Sequence, residues 1–394
     1  MLQMANNNLG LNKQDIKEKN RGKLLGLIAT NACNTRIELS RMTGLSKMAV
    51  SNIISNMIVS GIIAESETDP KNGQGRNPIK LCIAPTAPKI AGMFIFRGYC
   101  EAILCEMNLN IIRRERLSMD RVTPENFTNL IYSLLDTVIL NETNVIGIGV
   151  ASIGPIDSAN GIILSPNYFY GIHNVPIVKQ ITDRYHLPVF FDQDNHSGAL
   201  AELLFGNGRN HKDILLIGVS DGVGGGIISD YNLHSNDKGL FPEIGHVSID
   251  YNGPKCACGN RGCLETYIRT PLVLSKLQSV TGKYYSYQQF CEIADSDANV
   301  NKIFIDAIER MSMALVNVLN ILNSEIILLG YDCIYWKDQY IELLEEKINA
   351  RMFSKTRLSV KVKKTYFGTD SQILGSVCNV ISHIASAELL LETK

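Results

Sequence analysis

Between Glu243 and Glu265 the chain reads Glu243-Ile-Gly-His246, a short spacer, and then Cys256-x-Cys258-Gly-x-x-Gly262-Cys263-x-Glu265. Three thiols and one imidazole at this spacing can close around a single tetrahedral ion, with two carboxylates flanking them. Zinc takes thiolate and histidine ligands at roughly 2.0–2.3 Å, and sites with four protein ligands are usually structural. His246, Cys256, Cys258 and Cys263 are therefore the expected ligands of one structural zinc per chain. Gly259 and Gly262 suit a short loop that wraps an ion, because glycine adopts positive φ at little steric cost. Of the 10 cysteines, the other seven (Cys33, Cys82, Cys100, Cys105, Cys291, Cys333 and Cys378) are scattered, mostly in apolar runs. They read as small core residues in a reducing compartment.

The elements that must position this loop occupy a chain of 394 residues with net charge −1. That length allows two or three domains and a core large enough to need no disulfides. No apolar run reaches the roughly 18 residues of a membrane span, and the polar start does not resemble a signal peptide, so the expected location is the cytoplasm, with no membrane insertion. Charge is uneven: residues 1–80 hold 11 Lys and Arg against 6 Asp and Glu, a net of +5 that leaves −6 for the remainder. A basic front end on an acidic body points to a polyanion partner for the front end alone.

Within that front end, residues 20–32 carry the apolar spacing of a helix. Thr35-Arg-Ile-Glu38 is a capping box, and the helix it opens ends at Gly44. Ser46 caps a further helix in which Val50, Ile53, Ile54, Met57 and Ile58 form one stripe. Helix, glycine turn and second helix predict a helix-turn-helix whose second helix enters the major groove. Its outward residues, Lys47, Met48, Ser51, Asn52 and Ser55, are the candidate DNA contacts. After Gly61, the runs 62–64 and 79–81 look like a two-stranded wing, with Arg76 on the tip placed for a minor groove. An ordinary three-helix bundle with a solvated hairpin is the plainer alternative.

From Pro88 the pattern changes to three short β runs, a helix from Pro124, a strand from Val145 and alternating helix and strand. A second such series begins at Ile214, passes the cysteine loop and closes with a helix from Gln372. The expected fold is α/β, a duplicated unit with a ligand cleft between its lobes. The expected divisions are a head at 1–84 and a body at 85–394. Lobe one spans about 85–200 plus the C-terminal helix, and lobe two, with the zinc loop, about 201–371.

The cysteine motif preceded by Glu243-x-Gly245-His246 resembles the signature of the ROK family, which unites bacterial sugar-responsive repressors and sugar kinases. The resemblance covers nearly the whole chain. It implies a two-lobed, actin-like ATPase (ribonuclease H-like) body, and the winged helix-turn-helix in front resembles the repressor branch. Carried over by position, Gly154-Pro155 resembles the family's turn at the sugar, with Ile153 replacing a proline. The resemblance implies sugar contacts at Asn167, Gln193, Asp194, Glu243, His246 and Glu265, with Asp194 in the catalytic aspartate's place, Gln193 replacing an asparagine, and Glu202 closing that block. Physically, an uncharged polyhydroxyl ligand needs such convergent carboxylates and amides. Asp194 could instead cap the following helix, and Asn167 could serve the turn after Pro166.

The same comparison separates kinase from repressor. ATP phosphates need glycine-rich backbone, a hydroxyl and an aspartate that orients magnesium. The family's first phosphate loop falls on Phe94-Ile-Phe96-Arg97-Gly98, which lacks all three. In the second, Asp221 replaces a threonine ahead of Gly222 and Gly224 to Gly226, and the adenosine-side glycine pair is Gly330-Tyr331. The expectation is therefore no phosphoryl transfer, a vestigial Asp194, and a sugar-responsive repressor of carbohydrate genes. Its expected partners are double-stranded operator DNA, a monosaccharide or sugar-phosphate effector, and a second copy in a homodimer or dimer of dimers. An active sugar kinase with a regulatory head is the alternative, and a body that docks another protein is a third.

Overall fold

A computed structural model describes residues 12–66, 79–166, 168–234 and 241–391. The front end begins with α1 (Lys13–Ala29), α2 (Arg36–Thr43) and α3 (Lys47–Val59), followed by β1 (Ile63–Ser66) and β2 (Lys80–Ile83). Its punctuation follows the local chemistry. Thr35 and Glu38 exchange both capping-box bonds at the start of α2, Gly44 ends that helix at φ 74°, and Ser46 accepts the Ala49 amide to start α3. Such caps each hold about 0.5–2 kcal/mol of helix stability. α3 buries Val50, Ile54 and Met57, with Ile53 and Ile58 half-buried at the stripe's margin. β1 and β2 pair antiparallel from Ile63 opposite Ile83 to Ser66 opposite Lys80. The first helix begins earlier than its apolar spacing indicated, because Asn12 and Asp15 form a capping box ahead of a polar first half.

The body's first half contains β3 (Lys89–Ile95), β4 (Tyr99–Cys105), β5 (Ile111–Ser118), α4 (Pro124–Ile139), β6 (Val145–Ser152), β7 (Ile156–Asp157), β8 (Ile162–Ile163), α5 (Ile177–Tyr185) and β9 (Val189–Gln193). Its sheet order is β5-β4-β3-β6-β9, antiparallel among the first three strands and parallel from β3 through β6 to β9. α4 lays Phe127, Ile131, Leu134, Leu135 and Val138 against the sheet residues Ala91, Met93 and Ile95. Full burial of each such side chain stabilises the fold by about 1.5–3 kcal/mol.

The second half contains α6 (Asp194–Leu204), β10 (Ile214–Val219), β11 (Val223–Ser229), β12 (Asn232–Leu233), a 3-10 turn Ile244–His246, α7 (Glu265–Ile268), α8 (Thr270–Thr281), α9 (Tyr287–Ile293), α10 (Ala298–Leu319), β13 (Ile326–Tyr331), α11 (Asp338–Arg351) and β14 (Lys361–Lys364). Its sheet runs β12-β11-β10-β13-β14, again antiparallel through the first three strands and parallel thereafter. Both sheets thus follow the spatial order third, second, first, fourth, fifth with identical strand senses, as the expected duplication requires. α12 (Ser371–Ala385) closes the chain. By compactness the described residues fall into two units, one within 12–194 together with 373–391, the other within 195–372.

Three details depart from expectation. The alternation of Leu358, Val360 and Val362 predicts a strand over 358–365, but β14 covers only Lys361–Lys364. The apolar spacing predicts a final helix over 372–389, but α12 stops at Ala385, and Ala387 turns into the left-handed region at φ 63°. Cys82 is exposed on β2, since alternation along that strand sends its side chain outward, and so it is not a core residue. Among the described residues no helix is long and apolar enough to cross a membrane.

Candidate functional site

The cysteine loop folds as a miniature ladder. Ile249 donates to Gly262, Leu264 to Val247 and Cys256 to Asn260, with backbone N···O distances of 2.8–3.0 Å. The 3-10 turn carries His246 to the same place. One ring nitrogen of His246 and the sulfurs of Cys256, Cys258 and Cys263 all lie within 4.8 Å of one another. Cys258 and Cys263 sulfurs are 3.7 Å apart, and Cys256 sulfur is 3.5 Å from His246 Nδ1. A tetrahedron with zinc–sulfur bonds of about 2.3 Å has sulfur–sulfur edges of about 3.8 Å and slightly shorter sulfur–nitrogen edges. The donors therefore fit a four-coordinate ion in both type and spacing.

Backbone requirements explain the glycines here. Gly262 has φ 64°, and a Cβ on it would lie 1.9 Å from the Asp250 carbonyl oxygen. The thiols are unequal: the Asn260 amide lowers Cys258, burial raises Cys256, and burial pushes Cys263 up to about 12. A bound cation would favour the thiolate at all three.

Of the expected sugar residues, Glu265 heads α7 and stands against this cluster, its Oε1 3.3 Å from Cys256 sulfur and 3.7 Å from His246 Nδ1. Glu243 is exposed and lines a groove of about 350 Å³ with Phe241, Ile244, Val318 and Leu322. In the other unit, Gln193 ends β9 and Asp194 opens α6, both buried. Gly154 is joined to Pro155 by a cis peptide bond, and a Cβ on it would come within 3.0 Å of Gln193 Nε2. Gln193 Oε1 is buried with no hydrogen-bond partner among the described residues. A buried acceptor left unsatisfied costs about 1–3 kcal/mol, which a ligand hydroxyl would recover. Nothing in the sequence signalled that orphan. Asn167 lies outside the described residues. Glu202 is structural, its carboxylate accepting the Asn207 and Phe367 amides at 2.9 and 3.3 Å.

On the front end, Lys47, Met48, Asn52 and Ser55 are exposed along α3, Met48 at 75%. Ser51 is half-buried, because it sits beside the apolar stripe rather than opposite it. Arg36 pairs with Glu65 at 2.8 Å, tying α2 to β1. Arg76 lies outside the described residues.

At the positions compared with nucleotide loops, Phe94 is buried and stacked on Phe96 with ring centres 5.8 Å apart. The Gly224 to Gly226 run lies within β11, and its glycines answer to packing. A Cβ on Gly225 would meet Ile244 at 2.2 Å, and one on Gly226 would meet the Asn195 carbonyl at 2.5 Å. Tyr331 holds φ 53°, a conformation natural to glycine, and its ring covers Gly218, whose Cβ would lie 2.5 Å from it. The sequence signal for that contact was Gly218 inside an otherwise apolar strand.

A sequence profile described as the ROK family matches residues 94–382. The xylose repressor of Bacillus subtilis (strain 168) is 28% identical over 377 residues, covering 93% of this chain and 96% of the repressor. The glucokinase of Thermotoga maritima is 31% identical over 199 residues, covering 46% of this chain and 62% of the kinase. A crystal structure of a ROK family transcriptional regulator, described as a homolog of the E. coli MLC protein, superimposes with a TM-score of 0.80. At 23% identity it covers 95% of this chain and 98% of that one, a likeness of fold.

Proposed function

The chain belongs to the ROK family, and from that premise we propose that it is a sugar-responsive transcriptional repressor of carbohydrate genes that has lost phosphoryl transfer. The observation that carries this reading is similarity to a repressor along 93% of the chain, through a front end that folds as a capped helix-turn-helix with a paired β1–β2. The head at 1–84 binds operator DNA, with α3 in the major groove through Lys47, Met48, Ser51, Asn52 and Ser55 and with Arg76 in a minor groove. Two copies of the 85–394 body pair as a homodimer, which places two heads on half-sites about 34 Å apart.

The effector is a monosaccharide or sugar phosphate. Its contacts are assigned to Asn167, Gln193, Asp194, Glu243, His246 and Glu265. The orphaned acceptor of Gln193 supports this assignment, since a hydroxyl is the donor it lacks. His246, Cys256, Cys258 and Cys263 hold one zinc ion per chain, whose binding energy stabilises the loop bearing His246 and Glu265. The ligand alters operator affinity only through its different affinity for the two states of the protein.

The kinase alternative has its own support in the glucokinase match over 46% of the chain. Against it stand Phe94 and Phe96 where phosphate would need backbone, Asp221 in a position that repels phosphate, and the Tyr331 ring over Gly218. One experiment separates the two. The protein is incubated with ATP, magnesium and a panel of pentoses, hexoses and N-acetylhexosamines, and in parallel titrated onto DNA from its own upstream region. The repressor reading expects specific DNA binding weakened by Asn52→Ala and Arg76→Ala, and no sugar phosphate. Phosphorylation abolished by Asp194→Asn, with no specific DNA binding, would establish the kinase instead.

A further inference from the structure

The C-terminal end of α12 and the turn after it touch both the strand that ends at Gln193 and the first helix of the head. α12 is seated closely on the first sheet. A Cβ on Gly92 of β3 would meet Ser376 and Val377 at 2.6–2.8 Å, and one on Gly149 of β6 would lie 1.8 Å from the Ser376 carbonyl oxygen. Further along, the imidazole of His383 stacks on Phe190 of β9, with ring centres 4.1 Å apart and planes 22° from parallel. β9 is one of the two edge strands of this sheet and, among the described strands, pairs with β6 on one side only, so its other side is free of ladder hydrogen bonds that would resist a shift.

The segment after α12 is tied back to that same histidine. The amides of Glu388 and Leu389 donate to the His383 carbonyl at 2.9 and 3.0 Å, and the Glu388 carboxylate pairs with His383 Nδ1. Ala387 holds the left-handed φ of 63° within this turn. A non-glycine residue there costs roughly 1–2 kcal/mol and persists only where its surroundings impose it. The turn then delivers its end to the head. Leu391 accepts from Arg21 Nη1 at 2.9 Å, and Arg21 also pairs with Glu18. α1 approaches on its small residues: a Cβ on Gly22 would lie 2.4 Å from the Ile384 carbonyl oxygen, and one on Gly26 would lie 2.8 Å from Ala385 Cβ.

We propose that the segment from His383 to Leu391 is a strap coupling β9 to helix α1, with the Phe190–His383–Glu388 contact as its latch. Displacement of β9 by a ligand at Gln193 and Asp194 shifts the Phe190 ring, loosens the turn that His383 anchors, and frees α1 from its fixed seat. His383, Phe190 and Glu388 are positioning residues: they act on the head through the strap and touch neither sugar nor DNA. This regulation rests on the repressor reading, but the strap itself is a property of one compact unit.

The test uses the full chain and three variants, Phe190→Leu, His383→Ala and the exposed, conservative Glu388→Gln. Three quantities are read: amide exchange of α1, binding of D-xylose, D-glucose and N-acetyl-D-glucosamine, and affinity for the upstream DNA with and without each sugar. Coupling between two sites ordinarily amounts to about 5- to 150-fold in affinity. The strap predicts that His383→Ala and Phe190→Leu bind sugar as the parent does, within about twofold, while the sugar-induced change in DNA affinity collapses below about twofold. It also predicts that residues 22–29 of α1 exchange at least about tenfold faster, with α4 unchanged. Glu388→Gln, which keeps the ring stack, should fall between parent and His383→Ala. Parent-like exchange in α1 together with an intact sugar response in both ring variants would overturn the proposal. A parent that ignores every sugar would instead refute the repressor reading, and the exchange of α1 would still decide the strap.

Discussion

Cys258 and Cys82 are both exposed cysteines, and replacing either with serine is the same chemical change. Neither replacement opens a cavity, so any difference between them reports on what the sulfur holds. Cys82 sulfur lies 3.7 Å from the Ala64 carbonyl, a weak interaction on the β1–β2 pair. Cys258 lies 3.7 Å from Cys263 sulfur within a four-donor cluster. Structural zinc in small domains binds with an apparent 10–16 kcal/mol, so one ligand of four accounts for roughly 2.5–4 kcal/mol. At about 1.4 kcal/mol per decade, Cys258→Ser should weaken zinc on the order of 10²- to 10³-fold. Competition with a chromogenic chelator, read beside the metal content of the purified protein, measures this directly. Parent and Cys82→Ser should retain one zinc per chain through chelator concentrations that strip Cys258→Ser. The melting temperature of Cys258→Ser should fall and become dependent on added zinc. Equal zinc affinity in all three proteins would refute the ligand assignment.

Gly262→Ala forces a side chain onto the Asp250 carbonyl at positive φ, whereas Gly259→Ala, at φ 97° with nothing within 4 Å, pays only a conformational penalty. In urea melts the Gly259 variant should lose about 1–2 kcal/mol, and the Gly262 variant clearly more, together with its zinc. Lys47→Ala should weaken DNA binding across sequences and reduce the slope of log affinity against log salt by about 1. Asn52→Ala, a base contact, should instead relax specificity at one position by about 1–3 kcal/mol. Burial raises the Asp332 carboxyl, with the Asp221 charge adding to it and the Thr270 hydroxyl opposing. Its ionised form is thus a penalty on the folded state, fully present above the folded pKa and absent below the unfolded one. Asp332→Asn should stabilise the protein at neutral pH, with the gain shrinking as melts are repeated down through the carboxylate range.

Much of this was legible because local chemistry dictates it. Thr35, Glu38, Gly44 and Ser46 each act within four residues of their own positions, so the head's helices could be bounded from the sequence. The metal cluster was legible because three of its donors lie within eight positions and share a ligand chemistry. The duplication was readable from the order of apolar runs, and the strand orders confirm it. What escaped notice depends on tertiary contacts. Gln193 gives no sign in the sequence that its oxygen is buried without a donor. The glycines of β11 resemble a phosphate loop, yet Ile244 and Asn195 are what exclude a Cβ from them. Cys82 was misplaced because an apolar neighbourhood says nothing about which face of a two-stranded pair looks outward. The turn at Ala387 depends on His383, Phe190 and α1 converging, and no local signal foretells a left-handed alanine.

The repressor reading requires one chain to couple a sugar to DNA. The most direct measurement takes a monosaccharide that raises the protein's melting temperature and determines affinity for the upstream DNA with and without it, at fixed salt and in the zinc-loaded state. That affinity should change by about 5-fold or more, on the upstream DNA and not on unrelated sequence. Tight sugar binding with identical DNA affinity in both conditions would contradict it.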